Sequence, residues 1–397
     1  MKVKKREILF YLSYICFFVS LFLGDVYETS IILVVQRLLR IAAYGIIVLQ
    51  IFGSKLKSKE WIKLLLLLII TLVFGIYTRD LYWSILIIFI YASKNINLEN
   101  ILKLSIIILF SAMICVLCAC SVGLLPDVLT ARNSSSLDNF VRHSFGFYHS
   151  NVLPLIVLYL ELYYVLLEKE KAKSSVILVG VGIHVVLFIF CNSRNAFLLA
   201  VLFSVLIFGE KYIGTNRKIK KVFYLITKYM VPFLSIFSFS MLFLLLRGGI
   251  WDVVDSAFSG RFRLGIYKMR RIGIHLINIM SNEEFKSDYV MHANGTMLDT
   301  VVLDNGYLYI ILRYGILLIL FYFLVSFILS KKAKGNMYVL IVLLSVFAMN
   351  FIDNDLVDYL FLPFILIAFN NSQLLEEVDS GNRKRSVKWG ISWKKLV

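Results

Sequence analysis

The chain has 397 residues, 60% apolar and 15% aromatic, with a mean hydropathy of +0.82 and a formal net charge of +17. Soluble domains are about half apolar, so this composition excludes an ordinary soluble fold. Nor does the charge point to nucleic acid, because membrane proteins accumulate Lys and Arg on their cytoplasmic loops.

The chain opens with Lys2, Lys4, Lys5 and Arg6 ahead of an apolar run. No small-residue cleavage signal follows, which reads as an uncleaved first span. Apolar segments then recur at roughly 8–23, 31–52, 61–78, 81–93, 101–120, 148–167, 174–191, 195–213, 222–246, 306–330, 337–351 and 355–370. Runs of this length and uniformity span bilayers as helices. Strands of a membrane barrel would be about 10 residues long and would alternate strictly. The expected fold is therefore all-α: a polytopic integral membrane protein with about twelve transmembrane helices in one membrane domain over 1–397. The fourth segment and the last two are short, as expected of tilted or partly re-entrant helices.

Loop charge orients the bundle. With both termini inside, the inner loops are 55–59, 93–94, 169–173, 211–221, 331–334 and the tail 371–397, and each is basic. The short outer loops, 25–28, 78–80, 192–194 and 353–355, are acidic or nearly neutral. This asymmetry is that of an N-in, C-in topology. The basic tail is expected to rest on anionic headgroups. Cys16, Cys115, Cys118, Cys120 and Cys191 lie in or beside apolar segments and read as small hydrophobes, not as disulfides or metal ligands.

Two outer loops are long, 121–147 and 247–305. The outer side holds Arg79, Arg132, Arg142, Arg194, Arg247, Arg261, Arg263, Arg270 and Arg271, but only Lys268 and Lys286 among lysines. Topology alone predicts no such preference. The planar guanidinium fork grips phosphate through paired hydrogen bonds and stays charged. Within the large loop, Phe262, Ile266, Met269, Gly273, Leu276 and Met280 share one helical face across 262–280. That pattern predicts an amphipathic helix lying on the outer interface or capping the bundle.

The candidate site residues fall in four places. Arg142, His149 and Asn151 lead into the sixth span. Arg194 sits in the tight hairpin Asn192-Ser193-Arg194. Arg261, Arg263, Arg270, Arg271 and His292 belong to the large loop. Asp304, Asn305 and Tyr307 open the tenth span, with Arg313 about two turns inside it. Arginines would hold an anionic group; Asp304, His292 or His149 would serve as a base. Structural roles compete at each position. His149 reads equally as an interfacial or capping residue, and Asp304-Asn305 as a helix cap. Asp353, Asp355 and Asp358 would neutralise the arginines or meet sugar. Asp299, Asp304 and His292 match no metal-ligand spacing, so neither metal nor cofactor is expected.

These short motifs, in this order and on one side, resemble the polysaccharide polymerases of bacterial capsule and O-antigen synthesis, which are related to the O-antigen ligases; the Gram-positive capsular branch is the most similar. The resemblance rests on Gly146-Phe147-Tyr148-His149-Ser150-Asn151, Asn192-Ser193-Arg194, Ser259-Gly260-Arg261, and Asp304-Asn305-Gly306-Tyr307-Leu308 with Arg313-Tyr314-Gly315. Ser150 replaces the family's proline, and Asp304-Asn305 stands where ligases and many polymerases carry a His-Asn or similar pair. The base therefore stays open among Asp304, His292 and His149.

The resemblance implies a membrane glycosyltransferase on the outer face of the bacterial plasma membrane. It would join undecaprenyl-diphosphate-linked oligosaccharide units to a growing lipid-linked glycan without metal. Arg194 and Arg261 would hold the diphosphate. Arg142, Asn151, Arg263, Arg270, Arg271, Asn305, Tyr307 and Arg313 would line the substrate. Membrane lipids, a flippase and a chain-length regulator are the implied partners, and nucleic acid is not. The alternatives are a ligase moving glycan to another acceptor and a non-enzymatic flippase. Against the flippase, the sequence shows no internal repeat and no central run of charges.

Overall fold

A chain in hydrocarbon must satisfy its backbone N–H and C=O groups within its own segment, and the α-helix does this. In a computed structural model of the chain, the described residues are 5–53, 57–78, 81–131, 141–258, 260–278, 280, 285, 303–354, 358–370 and 375. The helices are α1 Lys5–Phe22, α2 Ser30–Phe52, α3 Ser58–Thr78, α4 Tyr82–Ser93, α5 Leu98–Ser121, α6 Val152–Glu168, α7 Ser174–Cys191, α8 Arg194–Phe208, α9 Arg217–Leu244, α10 Ile250–Ala257, α11 Arg261–Ile272, α12 Gly306–Tyr314, α13 Ile316–Lys332, α14 Met337–Ile352 and α15 Leu362–Phe369. A two-residue antiparallel ribbon, β1 Thr130–Ala131 and β2 Val141–Arg142, is the sheet among the described residues.

Five helical stretches are long and apolar enough to cross a membrane: Ser30–Phe52, Leu98–Ser121, Ser174–Cys191, Arg194–Ile213 and Arg217–Arg247. Their outward faces agree with that reading. On α2, Ile31, Leu38, Ile41 and Leu49 are 76, 61, 67 and 67% exposed, a row that water would penalise and lipid would not. The chain has the character of a membrane-embedded helical protein.

Two expectations changed on folding. The apolar run 306–330 is not one helix. Gly315, at φ +96°, separates α12 from α13. The freed N–H groups of Ile316 and Leu317 donate instead to the carbonyls of His275 and Leu276, and Asn278 N–H donates to Tyr314 O. The large loop thus threads residues 275–278 into the break. For the same reason the amphipathic helix expected over 262–280 stops at Ile272, and residues 275–278 bond to that break instead.

The helix that does form, α11, caps the bundle. Phe262 and Ile266 are buried against α9 and α12, while Arg263, Tyr267, Arg270 and Arg271 are exposed. Phe262 meets the rings of Phe237, Phe258 and Phe351 with centroids 5.9, 5.6 and 6.0 Å away. Such pairs contribute about 0.5–1.5 kcal/mol each beyond burial, which fixes the end of α11 where Arg261 begins it.

Candidate active site

The site is assembled at the end of the bundle where α7 ends and α6 and α12 begin. A helix leaves its last carbonyls without intrahelical donors, and the segment entering α6 uses those of α7. His143 N–H donates to Phe190 O at 3.0 Å, and Arg142 Nε donates to Cys191 O at 2.8 Å. The cation also suits the negative end of the helix dipole. Arg142 Nη2 then donates to Asn151 Oδ1 at 2.5 Å. Asp127 fixes the intervening turn, accepting from the N–H groups of Ser144 and Phe145 at 2.8 Å each and meeting His143 Nδ1 at 2.5 Å. Burial works against its charge. The bonds from His143 and the two backbone N–H groups outweigh burial and hold the carboxyl below its ordinary value.

His149 is reassigned by its geometry. Its Nδ1 accepts from Asn151 N–H at 3.1 Å, so a neutral ring carries its proton on Nε2. Burial, aided by the charge of Arg142, pushes its pKa down to about 4. At neutral pH the His149 ring is uncharged and presents Nε2–H as a hydrogen-bond donor.

The second half comes from the large loop. Asp255 Oδ1 accepts from Phe262 N–H at 2.9 Å and Arg263 N–H at 3.3 Å, capping α11. Arg263 folds back on this turn, with Nη2 at 2.8 Å from Asp252 and Nε at 3.7 Å from Asp255. Arg261, by contrast, is buried. Its Nε stands 3.8 Å from Asp304 Oδ2 and makes no hydrogen bond.

Asp304 is fixed by its neighbours. Asn305 Oδ1 accepts from Leu308 N–H at 3.0 Å, capping α12, and its Nδ2 donates to Ser238 Oγ on α9 at 3.1 Å. Gly306 N–H donates to Asp353 O at 3.1 Å. A Cβ on Gly306 would lie 2.8 Å from that oxygen and from Asn350 O, so only glycine lets the two chains approach this closely. Asp25 joins them, accepting from the Tyr359 hydroxyl at 2.9 Å while its carbonyl accepts from Tyr148 N–H.

The result is a carboxylate group, Asp304, Asp353, Asp358 and Asp25, set against two arginines. Asp304 keeps 41% of its side chain accessible. Burial raises its pKa, opposed by Arg261 and then Arg142. Burial, together with Asp304, pushes Asp353 up to about 7. Burial and Asp25 raise Asp358 well above the usual carboxylate range. Asp353, beside Asp304, is thus poised to exchange a proton near neutrality, a property matched to acid–base work.

The other sequence candidates lie elsewhere. Arg194 is exposed at the start of α8, three residues beyond Cys191, and makes no ion pair among the described residues. Arg270 and Arg271 are exposed at the end of α11. Tyr307 is core, donating to Phe347 O at 2.7 Å. Arg313 is fully buried, bonded to Met280 O, with its guanidinium carbon 4.9 Å from the centre of the Tyr314 ring. His292, Asp299 and Asp355 fall outside the described residues.

Sequence reasoning passed over two features. Lys268 lies on the buried face of α11, bonded to Phe285 O, and burial followed by the charge of Arg271 pushes it down to about 8. Glu161 of α6 and His184 of α7 meet inside the bundle with Oε1 and Nε2 3.6 Å apart, 8 and 1% exposed. An ionisable residue inside an apolar run was the available signal. Among the described residues no group of three or more His, Cys, Asp or Glu is placed to hold a metal. Comparison with family models, with curated proteins and with solved structures finds no match to this chain.

Proposed function

We propose that the protein is a repeat-unit polymerase, joining polyprenyl-diphosphate-linked oligosaccharides on the outer face of a bacterial plasma membrane through a twelve-span, N-in, C-in bundle. One observation carries the reading: buried Arg261 stands with Nε 3.8 Å from the Asp304 carboxyl, and Arg142, 119 residues away in sequence, favours the charged form of the same group. A mobile anion with several oxygens, such as a diphosphate, suits two guanidinium groups converging beside a single half-exposed carboxylate.

In the reaction, a hydroxyl of the incoming unit attacks the anomeric carbon of the growing chain. The new C–O bond forms as the bond to the lipid diphosphate breaks. The hydroxyl proton passes to Asp304, and the diphosphate leaves with the bonding electron pair. Arg261 and Arg142 stabilise the charge that develops on it. His149, through Nε2–H, donates to a phosphate or sugar oxygen. Gly306 and the Asn305 cap hold Asp304 in place, so the geometry exists before substrate binds.

Replacing Arg261 with Ala and analysing lipid-linked glycans in cells with normal protein levels tests this. Single repeat units on lipid outside the membrane are expected; long chains of normal abundance would refute it. A second reading is supported by Glu161–His184, because an ionisable pair inside a bundle is a transporter's feature. A flippase would leave single units trapped inside.

A further inference from the structure

At the other end of α9 lies a cavity of about 980 Å³. The cavity reaches Leu225 of α9 and the arginine–carboxylate site meets α9 at Ser238, about 20 Å of helix axis away. Arg217, Lys218, Lys220 and Lys221 line it from the start of α9, and Lys334 enters from the turn between α13 and α14. Among the described residues no Asp or Glu lines it. Glu210 pairs with Lys220, 3.7 Å away. Lys334 Nζ stands 5.9 Å from the ring centre of Tyr224 in the same wall. Cations from two separate segments thus converge on one concavity, outnumbering the acids near them among the described residues. Such convergence costs repulsion unless an anion offsets it.

The surface around the cavity narrows the chemistry. Leu225 lines it, and Val222, Ile226 and Tyr229 continue from it along α9, each about half exposed. A charged cup opening onto an apolar stripe matches a molecule with a phosphate head and hydrocarbon chains. We propose that this cavity binds a multiply charged phosphate group, as carried by an anionic lipid headgroup or by a soluble diphosphate. The proposal is independent of the reaction assigned to the other end.

Native mass spectrometry of the full-length protein tests it, with cardiolipin, phosphatidylcholine and inorganic pyrophosphate as probes. The variant Lys218→Gln/Lys221→Gln/Lys334→Gln is compared with Lys59→Gln/Lys63→Gln/Lys171→Gln, which removes the same charge elsewhere. The wild type and the second variant should retain cardiolipin or pyrophosphate in preference to phosphatidylcholine. The first variant should bind at least about tenfold more weakly. Loss of cardiolipin alone identifies a lipid site; loss of pyrophosphate as well identifies a site for phosphate of either source. Equal weakening in both variants, undiminished binding in the first, or no preference in the wild type would overturn the proposal.

Discussion

The two ends of α9 carry opposite arrangements of positive charge. At one end the cations are arginines, partly buried and held by Cys191 O, Asn151 and the Asp304 carboxylate. At the other they are mostly lysines around an open cavity, with Glu210 beside Lys220. The difference separates two uses of charge. Preorganised guanidinium groups cost little to orient at the moment of reaction. Flexible ammonium groups gather around an anion that need not be held in one pose.

The largest effect should come from the arginine end. Arg261→Ala should lower chain growth by about a hundredfold or more. Arg261→Lys should recover little of it, because one ammonium cannot reproduce the fork. Rates in membranes normalised to protein level decide this. Equal activity of Arg261→Ala and wild type would collapse the contrast between the two ends.

A smaller effect tests the scaffold. Gly306→Ala would force its Cβ against the carbonyls of Asn350 and Asp353, an overpacking that costs about 1–3 kcal/mol. Stability should fall, and activity should fall further than stability explains, because Asp304 and Asp353 separate. Thermal unfolding and rate, measured together, check both. The cavity at the far end should keep its phosphate binding in this variant.

Asp353 supplies the pH test. Its pKa is raised in the folded protein to about 7 by burial and by Asp304, against about 3.9 unfolded. The folded state therefore holds this proton more tightly, and its stability declines as pH rises from about 4 to about 7. Asp353→Asn removes that decline. The variant should gain stability over wild type across this window and keep a constant advantage above it. A pH series of unfolding temperatures reads the effect; parallel curves would contradict it.

The smallest effect belongs to Arg263. Its closer pair, with Asp252, is half exposed, and such bridges contribute about 0–1 kcal/mol. Arg263→Ala should leave chain growth within a few-fold of wild type, in contrast to Arg261 two residues away.

Much of the helical framework was legible because uniform apolar runs leave one way to satisfy the backbone. The break at Gly315 was not, because its partner is a tertiary strand of loop, 275–278, that no local pattern announces. Arg142, Arg261 and Asp304 could be picked out individually from residue type and loop position. That they act on one another could not, because it depends on the last carbonyls of α7 and on the Gly306–Asp353 contact. The role of His149 turned on a single hydrogen bond to Asn151 N–H, which sequence does not encode visibly. Glu161 and His184 were each readable as isolated polar residues; their pairing depends on how α6 and α7 face each other.

Reconstitution tests the central claim most directly. The purified full-length protein in lipid nanodiscs is given lipid-linked repeat units and no nucleotide sugar, and its glycan and lipid products are resolved. The account predicts glycan chains of increasing length, with one lipid diphosphate released per new bond, and almost none with Arg261→Ala. Folded wild-type protein that leaves the units single, or chains formed equally by the variant, would contradict it.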